Sequence, residues 1–404
     1  MLGRAWLIFT FGMILAAVIL REVPLLLVAL LFSLTSAIAR LWARYALDRL
    51  EYQRFLSATR VFFGETVTLD IGIANLKILP LPWVHIQEQV PEELTFLKGR
   101  LSPSYGAARA TLSSVLSLGW YKRVTRRYPV QCLRRGYFTF GPATIRSGDL
   151  FGFFHKEARV QKLDNLLVYP RIVPLEDLGI ASRYPFGDLR VRRHLFEDPV
   201  RVAATREYSY SDPLKRIHWK ATARLGRLQS RVFEPTTTVD LALFLDLRTG
   251  GVEHLLETAV ITAASIASHA VVNGYRVGLY ANELYRRTDQ IMKLPPSNHP
   301  DQLPRVLEAL AQVQGLPFVK LEQLLHGEGR SLPWDTTLVV ITAMPNELLL
   351  AALVRYKRAG RRVALIQVGE QATRPSLGGL PVYHVSDQVY WQELESVQLG
   401  QAQE

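Results

Sequence analysis

The residues best placed to do chemistry lie between Arg206 and Arg224, in the run REYSYSDPLKRIHWKATAR. Asp212 and Pro213 suit an N-cap and first helical position, and Gly226 suits a residue just past a helix end. The spacing therefore predicts a helix over residues 213–225 with Leu214, Ile217, Ala221 and Leu225 on one face. Arg216, Lys220 and Arg224 then share another face at i, i+4, i+8, with Trp219 beside them. Like charges so spaced repel by about 0.2–0.5 kcal/mol per pair, so an anionic group is expected opposite them. Two readings stay open. In one, the stripe docks a phosphate, an anionic lipid or an acidic partner. In the other, Glu207, Asp212 and Glu234 pair with Arg216, Arg224 and Arg227 and fasten the helix internally. Arg224, near the helix end, is assigned to the clasp with Glu207 or Glu234. Lys220 is the docking candidate, and Trp219 is expected to pack at a domain junction. Arg206, Glu207 and Tyr208 open the motif.

No catalytic set accompanies this charge. Cys132 is the single cysteine, so there is no intramolecular disulfide and no cysteine-based zinc site. His194, His218, His254 and His269 show no metal-ligand spacing. Gly148-Asp149-Leu150-Phe151-Gly152 lacks the Gly-Lys-Ser/Thr of a phosphate loop, and there is no Gly-x-Ser-x-Gly elbow. The chain reads as non-enzymatic, with no catalytic residue, no cofactor site and no metal site.

The elements around the motif define a multidomain protein of 404 residues with a formal charge of +12. Residues 5–20 and 23–39 are apolar runs separated by Arg21-Glu22, which predicts a transmembrane helical hairpin over residues 1–45. Each run covers roughly 24–26 Å, short for a hydrocarbon core of about 30 Å but workable with snorkelling arginines. Arg40, Arg44 and Arg49 follow the second run, so the positive-inside rule puts both ends and the later domains in the cytoplasm, at the inner or plasma membrane. Residues 46–170 change to a period of two, as in Thr66-Val67-Thr68-Leu69-Asp70-Ile71, with Gly and Pro punctuation. That pattern predicts an antiparallel β-sandwich, immunoglobulin-like in strand spacing. Phe151, Phe153 and Phe154 are expected in core or junction packing. Residues 171–238 form a connecting segment, and between 182 and 231 twelve basic residues stand against five acidic ones. Residues 239–396 alternate apolar strands with helices and predict an α/β domain with a parallel sheet. A short third strand is expected near residues 283–290, and residues 397–404 are expected to be a frayed tail.

Arg-Glu-Tyr, a nearby Asp and Arg-Ile-x-Trp-Lys-x-x-Ala-Arg resemble the signature of domain-of-unknown-function family 58. The Arg-Arg-Gly-Tyr at 134–137, the Gly-Asp-x-Phe-Gly at 148–152 and the two apolar runs are similar to that family too. Ser211 stands where a Gly often precedes the Asp. The resemblance implies a membrane-anchored protein whose C-terminal part is like a von Willebrand factor A domain, often associated with MoxR-type AAA+ ATPases. Such domains carry a metal-ion-dependent adhesion site, Asp-x-Ser-x-Ser, after the first strand. Here Asp246 matches the Asp, but Arg248 and Gly250 stand at the Ser positions. Ala343 replaces a second Asp in Thr342-Ala343-Met344. Too few hard oxygens remain for Mg²⁺, and Asp246 is expected to pair with Arg248 or with the central motif.

The expected function is an adaptor or scaffold at the lipid bilayer that presents its α/β domain to a cytoplasmic protein such as an AAA+ ATPase. No nucleic acid and no small-molecule substrate are expected. The alternatives are a Mg²⁺-dependent receptor, or an anionic-ligand or nucleic-acid-binding protein or hydrolase built on the Arg-rich segment.

Overall fold

The computed structural model describes residues 2–20, 23–103, 108–177, 197–209, 217–235, 239–285, 288–369 and 379–401. The chain divides into two compact units, Met1–Arg171 with Leu310–Gln312, and Ile172–Ala309 with Val313–Glu404.

The first unit begins with two apolar helices that lie against each other, α1 (Leu2–Leu20) and α2 (Val23–Tyr45). Twelve strands follow: β1 (Leu50–Leu56), β2 (Arg60–Val61), β3 (Thr66–Asn75), β4 (Leu81–Pro91), β5 (Thr95–Phe96), β6 (Arg100–Pro103), β7 (Arg109–Leu118), β8 (Arg123–Gln131), β9 (Gly136–Phe140), β10 (Ala143–Gly148), β11 (His155–Val160) and β12 (Asp164–Val168). They form sheets ordered β1-β3-β8-β5, β11-β10-β4-β7-β6 and β2-β12-β9. Every pairing is antiparallel except the short one between β2 and β12. Alternation makes the core. Val67, Leu69, Ile71 and Ile73 of β3 turn inward and meet Val84, Ile86 and Val90 of β4 in one buried cluster. Each such side chain contributes about 1.5–3 kcal/mol relative to exposure.

A charged group also lies in that interior. The side chains of Arg54 and Glu88 are wholly buried and paired. Arg54 donates further to Asp164 Oδ2 at 2.8 Å and to the carbonyl of Lys162, and the Tyr52 hydroxyl donates to Glu88. Burial pushes the Glu88 carboxyl upward, and the Arg54 guanidinium pulls it back. The unit also grips the end of α2. Lys77 Nζ donates to the carbonyl oxygens of Ala46 and Asp48, and Lys156 Nζ to that of Arg44 at 3.2 Å and to Asp48 Oδ1 at 2.9 Å. Cations suit this place because the last carbonyls of a helix lack intrahelical donors.

The second unit holds β13 (Leu175–Asp177), β14 (Glu197–Glu207), α3 (Trp219–Leu225), β15 (Gln229–Pro235), β16 (Asp240–Leu245), α4 (Glu253–Val272), β17 (Arg276–Leu284), β18 (Ile291–Ser297), α5 (Gln302–Gln312), α6 (Leu321–Ser331), β19 (Thr337–Thr342), α7 (Glu347–Arg358), β20 (Val363–Val368), β21 (Val382–Val385) and β22 (Val397–Gln401). The last part of α5, Leu310–Gln312, is assigned to the first unit. Eight strands make one sheet in the order β13-β22-β21-β20-β19-β16-β17-β18. From β21 to β17 all pairs are parallel. Strands β16, β19 and β20 are buried at every position, as the apolar runs 241–245, 338–341 and 363–366 within them require.

Two expectations need correction here. The third strand lies at Ile291–Ser297 and runs antiparallel to β17, which itself continues to Leu284. The C-terminal segment 397–401 is no frayed tail, because β22 lies between β13 and β21, with Val397 and Leu399 buried. Among the described residues, α2 and α4 are long and apolar enough to cross a membrane. Helix α4, however, is mostly buried within its unit, including Ala259, Ala263, Ile266 and Ala267.

Candidate functional site

Two places in the second unit hold the residues singled out from the sequence. The first is the ribbon of β14 and β15 with α3 between them. Arg206 pairs with Ser230 and Glu207 with Gln229 in antiparallel register. On its other side β15 takes Ile217, which bridges to Ser230, and His218, whose N–H donates to the Gln229 carbonyl at 2.8 Å. This pairing keeps Ile217 extended and buried, and the helix starts only at Trp219. His218 is the cap. Its Nδ1 accepts the Ala221 N–H at 3.1 Å, and Gly226 closes the helix at φ 66° with its N–H on the Thr222 carbonyl. A left-handed residue at that position favours glycine.

The helix is thus shorter than its sequence suggests. Asp212, Pro213, Leu214 and Arg216 lie outside the described residues. Ile217 is buried but is not helical, so the expected apolar face does not exist as a helical face. No residue of α3 is buried. Trp219 is 67% exposed and Leu225 62%, so neither is packed within its own unit. Lys220 and Arg224 are exposed, as are Arg206 and Glu207, while Tyr208 is half-buried. The partner of Glu207 is Arg227, at 3.5 Å between two exposed side chains, and not Arg224. The clasp assigned to Arg224 through Glu207 is therefore absent, because α3 carries that side chain out to solvent.

The second place is the C-terminal edge of the parallel sheet. Asp246 follows β16 and is completely buried. Arg248 reaches back to it, with Nη2 3.0 Å from Oδ2 and Nε 3.2 Å from Oδ1. Asn282 Nδ2 donates to Oδ1 and Thr342 Oγ1 to Oδ2, both at 2.9 Å. Glu322 lies 3.9 Å from Arg248 on its other side. The hydrogen bond to Asp246 raises the Arg248 guanidinium above its ordinary pKa. Gly250 has φ 64°, so a turn and not a ligand explains its type. Asn282 and Glu322 escaped the sequence reading. An Asn within the apolar strand β17 was the available signal for the first, and nothing local marked the second.

The donor set does not fit a divalent cation. Both Asp246 oxygens already accept hydrogen bonds, and a guanidinium supplies the positive charge that a metal would bring. Hard cations need several oxygen ligands gathered on one point, whereas here the Asp246 and Glu322 carboxylates flank the Arg248 guanidinium and the Thr342 hydroxyl is spent on Asp246. Among the described residues no three His, Cys, Asp or Glu side chains converge as a metal cluster.

Residues 204–344 match the family described as protein of unknown function DUF58. The match takes in the α3 ribbon and the Asp246 edge. An uncharacterised protein, YeaD, of Bacillus subtilis (strain 168) is 26% identical over 243 residues, 60% of this chain and 58% of the relative. The chain therefore spans less than two thirds of the curated relative it matches. Among solved structures, a non-cellulosomal cohesin from Archaeoglobus fulgidus aligns with 29% of this chain and 91% of its own, at 9% identity and a TM-score of 0.21. A cohesin module from a Clostridium perfringens glycoside hydrolase aligns with 29% and 96%, at 12% identity and a TM-score of 0.20. Neither fold nor function transfers at such scores.

Proposed function

We propose that this protein is a membrane-anchored, non-enzymatic adaptor. In this reading α1 and α2 form a transmembrane hairpin, the β-rich unit is an immunoglobulin-like sandwich, and the second unit is a von Willebrand factor A-like domain offered to a cytoplasmic protein. A MoxR-type AAA+ ATPase is the proposed partner class, by resemblance to the family. The observation that carries the reading is α3, which leaves Trp219, Lys220, Arg224 and Leu225 open to solvent in a helix that buries nothing. Aromatic and Arg side chains are the usual anchors of protein interfaces, and a basic rim selects an acidic partner.

The test is crosslinking in native membranes followed by mass spectrometry, with wild type, Trp219→Ala and Lys220→Glu compared. A shared partner lost from both variants supports the reading, and an unchanged set of crosslinked proteins rejects it. Cytoplasmic orientation rests on Arg40, Arg44 and Arg49 and is tested separately. In a Cys132→Ser background, Glu22→Cys should react with an impermeant thiol reagent in intact cells. Reaction only after permeabilisation reverses the topology.

A further inference from the structure

The loop between β10 and β11 takes no part in the proposed partner surface, yet it is built with care. Asp149 is 1% exposed, and its carboxylate accepts the N–H groups of Phe151 at 2.9 Å, Phe153 at 3.3 Å and Phe154 at 2.6 Å. Trp83 Nε1 donates to the Asp149 carbonyl at 3.0 Å. At Gly148 a side chain would collide with the Phe154 carbonyl, so glycine is required for this close approach. So many internal bonds hold the loop in one shape. That shape presents Leu150 and Phe151 outward, 68% and 58% exposed. Of the core or junction packing expected for Phe151, the core half does not occur, and its ring contact is with Phe153 at 5.7 Å between centroids.

Two neighbouring loops do the same at this end of the unit. Ile78, between β3 and β4, is 71% exposed, and Trp120 and Tyr121, between β7 and β8, are each 67% exposed. The two loops are tied by the Tyr121 N–H on the Lys77 carbonyl and by Asn75 Nδ2 on the carbonyls of Leu79 and Gly119. Lys77 in turn holds the end of α2. A cavity of about 460 Å³ between α2 and these strands is walled by Ile38, Ala39, Trp42, Leu118, Leu150 and Phe151. Leu150 and Phe151 thus continue the surface of α2, and the loops that carry Ile78, Trp120 and Tyr121 adjoin the same wall through Pro80 and Gly119.

Depth along α2 decides what should cover them. Ile38 and Trp42 come 15 and 19 residues after Val23. At ~1.5 Å per residue they lie roughly 22–29 Å along the helix, close to where a hydrocarbon core of about 30 Å ends. Arg40 and Arg44 of α2 are exposed at the same level. Aromatic rings beside arginines at the end of an apolar span are the composition of a membrane interface. We propose that this end of the β-rich unit is a lipid seat. Ile78, Trp120, Tyr121, Leu150 and Phe151 enter the interfacial layer of the bilayer that α2 spans, with Arg40 and Arg44 at anionic phospholipid headgroups. This rests on the reading of α2 as a membrane span.

The experiment places nitroxide labels in the full chain, in a Cys132→Ser background, in vesicles containing phosphatidylglycerol. Label sites are 30 on α2, 78, 120 and 150 at the seat, and 97 near the opposite end of β8. Relative accessibility to oxygen and to a water-soluble nickel chelate reads depth. Lipid-like values at 30, 78, 120 and 150 with an aqueous value at 97 support the seat. A lipid-like value at 30 with aqueous values at 78, 120 and 150 overturns the seat while leaving the span intact. An aqueous value at 30 refutes the span itself. Labels at 78, 120 and 150 shielded from both reagents mean that protein covers the patch, which also overturns it. A second arm keeps Cys132 and reads tryptophan quenching by brominated lipid. Trp120→Phe should remove part of the quenchable emission, and identical quenching in wild type and variant rejects the proposal.

Discussion

Arg248 and Arg224 sit in the same unit, and the two places show opposite uses of an arginine. Arg248 turns inward onto a buried carboxylate that also receives Asn282 and Thr342. Arg224 stands on a seven-residue helix with no buried side chain, where nothing described receives it. A positive charge is structural when the fold supplies its counter-charge out of water. Where the fold supplies none, the charge is left for something else. A basic sequence alone does not separate these cases, because the type and even the spacing of the arginines are alike.

The largest effect that sharpens this comparison is expected in the first unit. Arg54 and Glu88 are the extreme of the inward use, both wholly buried. Arg54→Ala strands Glu88 in the core, and loss of one partner of such a pair typically costs about 3–5 kcal/mol. Chemical denaturation of the full chain in detergent should show a transition lowered by that amount. A change under about 1 kcal/mol would mean that water reaches the pair. Next comes Asp246→Ala, which leaves Arg248, Asn282 and Thr342 without their shared acceptor. Asn282 and Thr342 are fully buried. At about 1–3 kcal/mol for each stranded donor the expected loss is roughly 2–6 kcal/mol, while the partly exposed Arg248 turns to water and Glu322. Millimolar Mg²⁺ should not raise the melting temperature of the wild type. A ligand at a hundred times its Kd would add about 2.7 kcal/mol, so a clear rise abolished by Asp246→Ala would break the account of Arg248 as the resident cation.

The outward use is expected to be nearly silent in stability. Arg227→Ala removes an exposed pair with Glu207 and should change stability by less than about 1 kcal/mol. Arg224→Glu should change it by less than about 0.5 kcal/mol while weakening partner recovery. A marked fall in melting temperature for Arg224→Glu would restore the internal clasp that its position in the sequence suggested.

These contrasts also show what was readable beforehand. The strands around Asp246 are legible because burial on both faces favours continuous apolar stretches, and β16, β19 and β20 each hold at least four apolar residues in a row. The Asp246–Arg248 pair was legible because its two members lie two residues apart beyond one strand. Asn282 and Glu322 reach the same edge from other elements, and only the winding of the sheet brings them there. The start of α3 is masked in the sequence because Asp212-Pro213 is a stronger local cap signal than His218. A tertiary pairing of Ile217 with Ser230 overrode it. Strand β22 was missed since Val397 and Leu399 are too short a pattern to mark a strand before its neighbours are known.

The smallest expected effect lies at the end of α2, between the two uses. Lys156 and Asp48 are half exposed, 46% and 48%, yet they are placed by the helix end that they clamp. The Lys156 hydrogen bond, first among the causes, holds the Asp48 carboxyl below its ordinary value of 3.8. A depressed folded-state pKa contributes stability that is present above the unfolded value and lost as pH falls through the folded one. Lys156→Met removes that contribution at neutral pH. Melting temperatures of wild type and variant, followed from pH 7 downward, should therefore differ slightly, with the gap narrowing below pH 3.8 to what the Arg44 carbonyl bond alone contributes. Comparing the two proteins cancels the other carboxylates, which titrate in both. A gap that stays constant through acid would mean that Lys156 acts through the Arg44 carbonyl alone, and the clamp would then belong with the neutral contacts of the helix end.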